Sequence, residues 1–110
     1  MGSIDGSQST GVDDPAGIDR MIHEPARLAI MAALYPLAQA DFLFLERTTG
    51  LTRGNLSSHL SRLEMAGYVE VVKTYRGRVP LTLVAMSDAG RAAFDEYRSR
   101  LRSIAAGLPE

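Results

Sequence analysis

LTRGNLSSHLSRLEMAG, residues 51–67, is the stretch on which the reading of the whole chain turns. Its leucines at 56, 60 and 63 recur at i, i+4 and i+7, the spacing that lines up side chains on one face of a helix. Thr52 is a good N-cap, because its hydroxyl can accept from an N–H of the first turn that has no helical partner. Gly67 suits the left-handed position that ends a helix. The rest of the circumference carries Arg53, Asn55, Ser57, Ser58, Ser61 and Arg62. One face is therefore core, and the other is polar and mostly short.

Working upstream, Leu51 begins a tight turn and Gly50 closes a helix running from about Leu43 to Thr49. Asp41-Phe42-Leu43 reads as a short extended piece leading into it. Farther back, His23-Glu24-Pro25 opens a helix from Ala26 to Tyr35, with Pro25 at the first position, where a missing N–H does no harm. Leu28, Ile30, Met31, Leu34 and several alanines leave it almost no polar face beyond Arg27. A helix apolar on all sides is buried on more than one. In so small a domain this predicts contact with a second subunit, with Leu28, Met31 and Leu34 at the interface.

Downstream, Tyr68 to Tyr75 and Val79 to Ala85 alternate as half-buried strands do. Arg76-Gly77-Arg78 between them predicts a hairpin with a basic tip, and Pro80 falls near the start of the second strand. Ser87 caps a last helix from Asp88 to about Ala106. Phe94, Tyr97, Leu101, Ile104 and Leu108 follow a three-then-four spacing that resembles a helix-pairing seam. Tyr97, Leu101, Ile104 and Leu108 are the expected contacts of this helix with a partner; in an alternative division, Phe94 and Tyr97 pack within the subunit and Leu101 onward meets the partner. Arg91 and Asp95 read as an i, i+4 pair on the solvated side.

With 110 residues and 45% hydrophobic composition, the chain fits one domain with a modest core. Residues 1–17 hold few large apolar side chains and are expected to be a disordered tail, leaving 18–110 as the domain. There is no cysteine, so disulfides and thiol metal sites are excluded. His23 and His59 alone lack metal-ligand spacing, and no phosphate loop or catalytic constellation can be picked out. The expectation is no metal, no cofactor and no enzyme. The absence of both a signal-peptide pattern and an apolar run of about eighteen residues points to a cytoplasmic protein without membrane contact.

The net charge of -1 is segregated along the chain. Residues 1–24 carry five acids against Arg20, a net of -4. Residues 52–78 carry Arg53, Arg62, Lys73, Arg76 and Arg78 against Glu64 and Glu70, a net of +3. The basic part is the middle.

The elements make a mainly α chain with a small β-hairpin, in the order α-α-α-β-β-α with a short extended segment before the second helix. That is a helix-turn-helix followed by a wing. Leu51 to Val69, then Lys73, Arg76-Gly77-Arg78, Pro80 and Ser87 to Arg91, resemble MarR/ArsR-like winged-helix transcriptional regulators over roughly residues 22–108. The resemblance implies a homodimer that reads double-stranded DNA, with His59 at a family position near DNA.

The residues permit the same reading. A helix can enter the major groove if its exposed face is narrow and rich in donors and acceptors. Thr52, Arg53, Asn55, Ser57, Ser58, His59 and Arg62 are the expected contacts of this helix, Arg53 and Asn55 toward bases and Arg62 toward phosphate. Lys73, Arg76 and Arg78 are those of the wing, on the backbone or in the minor groove. Plainer roles stay open: caps and solvated residues for the first turn, a satisfied half-buried histidine for His59, and a soluble turn for Arg76-Gly77-Arg78. Two wider alternatives also stand: an interaction module that keeps the scaffold without binding DNA, and a small-molecule effector between dimer helices.

Overall fold

Glu24, Asp41, Thr52 and Ser87 each accept a hydrogen bond from the backbone N–H three residues on, and each thereby starts a helix. The computed structural model describes residues 17–109 and contains, in order, α1 (Pro25–Leu34), β1 (Ala40–Asp41), α2 (Phe42–Thr49), α3 (Arg53–Met65), β2 (Val69–Arg76), β3 (Val79–Met86) and α4 (Asp88–Ala106). The expected tail, 1–17, lies outside the described residues apart from Gly17. Among the described residues no helix is long and apolar enough to cross a membrane.

The expected extended piece is shifted and paired. It is Ala40–Asp41, opposite Val84 and Leu83 of β3, so the hairpin becomes a three-stranded antiparallel sheet ordered β1-β3-β2. Phe42 already belongs to α2 because the Asp41 carboxylate caps that helix. The wing closes on the pair Arg76 and Val79, leaving Gly77-Arg78 as a two-residue turn with Gly77 at φ 64°. A tight hairpin demands that positive φ, and glycine meets it without strain.

The core lies where α1 meets α2, α3 and β3. Ile30, Met31, Leu34, Leu45, Leu56, Leu63 and Val84 are 0% exposed there. Met31 and Leu34 are thus core residues of this chain and not a face for a partner. Tyr97 is likewise buried, close to Phe94, which in turn packs 5.2 Å from the Tyr35 ring, measured between centroids. One side of α1 is covered by the chain itself, through Arg27, Ile30, Met31 and Leu34, while Pro25 and Ala32 are exposed. From Arg98 onward every described residue is exposed, including Leu101 and Ile104 of α4 and Leu108 just past its end, while Leu28 on α1 is half-buried.

Arg91 and Asp95 do not pair with each other. Both turn to Tyr35: Arg91 donates to its carbonyl at 2.9 Å and its guanidinium lies over the ring, while the phenol donates to Asp95. The i, i+4 spacing suits a solvated pair, but Tyr35, the C-cap of α1, offers an acceptor, a donor and a π face to the same two groups.

A docked turn precedes α1. Ile18 and Ile22 are buried, and one Asp19 carboxylate oxygen accepts from the N–H groups of Met21 and Ile22. The other oxygen accepts from the Tyr68 phenol, whose burial and negative partner push its pKa well above the ordinary tyrosine value.

Candidate nucleic-acid interface

A helix turns about 100° per residue, so the side of α3 opposite its buried leucines carries Gly54, Ser58, Ser61 and Met65, all exposed. Apart from Met65 at the last turn, this outermost stripe is short enough for close approach to a surface. Thr52 spends its hydroxyl on the cap, accepting from Asn55 N–H at 3.2 Å. The larger polar residues flank the stripe on two sides.

On one flank are Arg53, Ser57 and Glu64. Arg53 is well exposed, yet its guanidinium lies 3.6 Å from a Glu46 carboxylate oxygen on α2 and 5.9 Å from the centre of the Phe42 ring. That Glu46 oxygen is buried and accepts no hydrogen bond among the described residues. Between α2, α3 and the wing runs an open groove of about 670 Å³, where Arg53, Ser57 and Ser61 meet Lys73 and Arg76. Asp41, Glu46 and Glu64 line it too. Three cations therefore face three carboxylates, of which Asp41 is already engaged as a cap and Glu46 by Arg53. Lys73, Arg76 and, at the turn, Arg78 are exposed and have no carboxylate partner among the described residues. The accessible positive charge of this flank is on the wing.

On the other flank are Asn55, Arg62 and His59. Asn55 and Arg62 are exposed; His59 turns toward α1 and keeps 20% of its side-chain surface. Its Nδ1 lies 3.2 Å from the guanidinium of Arg27, the buried charged residue of α1 at 9% exposure, and 4.0 Å from the Glu24 carboxylate. Arg27 also donates through Nε to the Met21 carbonyl at 2.6 Å. The family resemblance implies a place near DNA for His59, a satisfied half-buried histidine being the alternative, and the sequence leaves Arg27 as the polar residue of an apolar helix. Their contact spans 32 positions, which no local pattern reports.

Glu24 completes this cluster. The backbone N–H of Arg27 donates to it at 2.8 Å and, outweighing the opposing effect of burial, lowers its pKa below the ordinary 4.5; the positive charge of Arg27 acts in the same direction. A carboxylate with a depressed folded pKa adds stability that is complete above its unfolded value and is lost as pH falls through the folded one. Glu24→Gln should therefore flatten the acid limb of a stability profile followed by urea unfolding from neutral pH downward. An acid limb as steep as that of the parent chain would contradict this role.

A helix-turn-helix with a sheet-borne basic wing and a small-residue outer stripe on α3 defines a DNA-binding regulator of the winged-helix class. Comparison with known proteins agrees. The family model described as winged helix DNA-binding domain matches residues 26–105, and the chain belongs to that family. It is 38% identical over 79 residues to an uncharacterized protein of Methanocaldococcus jannaschii, covering 71% of this chain and 85% of that one. A solved transcriptional regulator homologue from Pyrococcus horikoshii superposes with a TM-score of 0.77 at 34% identity, over 82% of this chain and 89% of that one. A MarR family regulator from Silicibacter pomeroyi gives a TM-score of 0.61 at 19% identity, over 84% of this chain and 57% of that one, a likeness of fold.

Proposed function

We propose that this protein is a sequence-specific regulator that binds double-stranded DNA as a homodimer, with α3 in the major groove and the wing on the backbone or in the minor groove. The observation that carries this reading is the groove in which Lys73 and Arg76 of the wing lie alongside Ser57 and Ser61 of α3. Ser58, Ser61 and Asn55 face the base edges, and Arg53 enters from the groove side. Arg62, Lys73, Arg76 and Arg78 meet phosphates, where charge fixes register without reading sequence.

The dimer in this reading uses the outer half of α4. Leu101, Ile104 and Leu108 continue the three-then-four stripe beyond the subunit's own core, and exposed leucine and isoleucine at that spacing suit a helix-pairing seam. Leu28, half-buried on α1, is the remaining interface residue of that helix in this reading. Two α3 helices related by a twofold axis then read half-sites about one DNA turn, roughly 34–36 Å, apart.

Asp41, Glu46 and Glu64 in the same groove favour a second reading, a winged-helix interaction module without DNA. Selection of bound sequences from a random duplex library separates the two. Enrichment of an inverted repeat supports the regulator, and a pool that stays random supports the module.

A further inference from the structure

We propose that Arg27 is a positioning residue for DNA recognition: it fixes the tautomer of His59 so that the Nε2–H donor is held ready for a phosphate oxygen of the duplex. This rests on the DNA-binding reading above and adds to it a buried residue that never meets the ligand.

A guanidinium has only donors. With the Arg27 Nη1 3.2 Å from His59 Nδ1, that nitrogen must accept, and the neutral ring must carry its proton on Nε2. Glu24 offers no competing arrangement, because its nearest oxygen stands 4.0 Å from Nδ1 and already accepts the Arg27 backbone N–H. Arg27 is itself held: it is buried, its Nε donates to the Met21 carbonyl, and it belongs to the helix at the centre of the core. The histidine is thus fastened at one nitrogen to a buried side chain of a core helix. The other nitrogen makes no hydrogen bond to the described residues, and the ring flanks the Asn55 and Arg62 side of α3. An N–H donor at the margin of a recognition helix meets phosphate, the acceptor that lines both edges of the groove.

The test combines long-range ¹⁵N–¹H spectra of the full chain, at about pH 8 where an ordinary imidazole is neutral, with binding to random duplex at several salt concentrations. The free protein should show the Nε2–H tautomer of His59, and the Nε2 resonance should move when duplex is added. Arg27→Met should give a mixture of tautomers. His59→Phe keeps a ring of similar bulk and removes the donor. It should weaken binding about tenfold, the scale of one hydrogen bond to a charged group. The salt slope should not change, since a neutral donor displaces no counterion. The double variant should bind no more weakly than the weaker single one.

An Nδ1–H or mixed tautomer in the parent chain overturns the proposal, as does a His59→Phe protein that binds like the parent. A chain that binds no duplex at all contradicts the phosphate contact together with the DNA-binding reading. The tautomer of the free protein then still reports separately on Arg27.

Discussion

Gly90→Ala should destabilise the domain by about 3 kcal/mol or more, the upper part of the range for overpacking. A Cβ at Gly90 would overlap the carbonyl oxygen of Tyr68 and stand 2.8 Å from its carbonyl carbon. That backbone cannot withdraw, because it is held on three sides. The Tyr68 carbonyl accepts from Ser87 N–H at 3.0 Å, its N–H donates to the Leu63 carbonyl at 2.9 Å, and its phenol is tied to Asp19. Moving it would disturb the end of α3, the start of β2 and the turn before α1 together. Gly54→Ala is the control: nothing lies within 4 Å of the added carbon, and a helical glycine is about 1 kcal/mol worse than alanine. Urea unfolding of the two variants should shift in opposite directions. A Gly90→Ala protein within about 1 kcal/mol of the parent would mean that α4 does not approach Tyr68 so closely.

The second large effect is expected from Leu101→Asp. Leu101 is 36% exposed in the single chain, so the charge costs the subunit little, whereas in a paired α4 seam it would be buried without a partner. Sedimentation should find the parent dimeric and the variant monomeric, with the variant's helical signal retained. A monomer engages one half-site at a time and loses the gain from linked binding. Affinity for a two-half-site duplex should therefore fall by about a hundredfold or more, with single half-site binding nearly unchanged. A parent chain that sediments as a monomer, or a variant that remains dimeric, would move the interface elsewhere.

What could be read from sequence here was local, and what could not was long-range. Pro25, Thr52 and Ser87, with Gly50, Gly67 and Gly77, act through their own backbone or a donor three residues away, so element order and most boundaries followed from them. β1 is two residues long and exists only through its pairing with β3 more than 40 positions away, so it appeared in the sequence as an unpaired extended piece one residue out of place. Hydrophobic spacing also says that a stripe is covered without saying by what. Met31, Leu34 and Tyr97 belong to stripes that look alike with or without a partner, and only the fold assigns them to the chain's own core.

The candidate site divides the same way. The wing arginines and the serines of α3 were legible as a charged turn and a short polar face. Glu46 beside Arg53 and Arg27 beside His59 come from other helices, and each changes what its partner can do. The middle of the chain has a net of +3, but Asp41 of β1 and Glu46 of α2 share the groove with it, so the free positive charge is concentrated in Arg62 and the wing.

The most direct test of DNA binding is the affinity of the parent chain and of Arg76→Ala for random duplex, measured across a range of salt concentrations. Phosphate contacts by Arg62, Lys73, Arg76 and Arg78 predict steep weakening with salt, and loss of Arg76 should reduce the logarithmic slope by about one. Binding that is absent, or that does not respond to salt, would contradict a DNA-reading function for this winged helix.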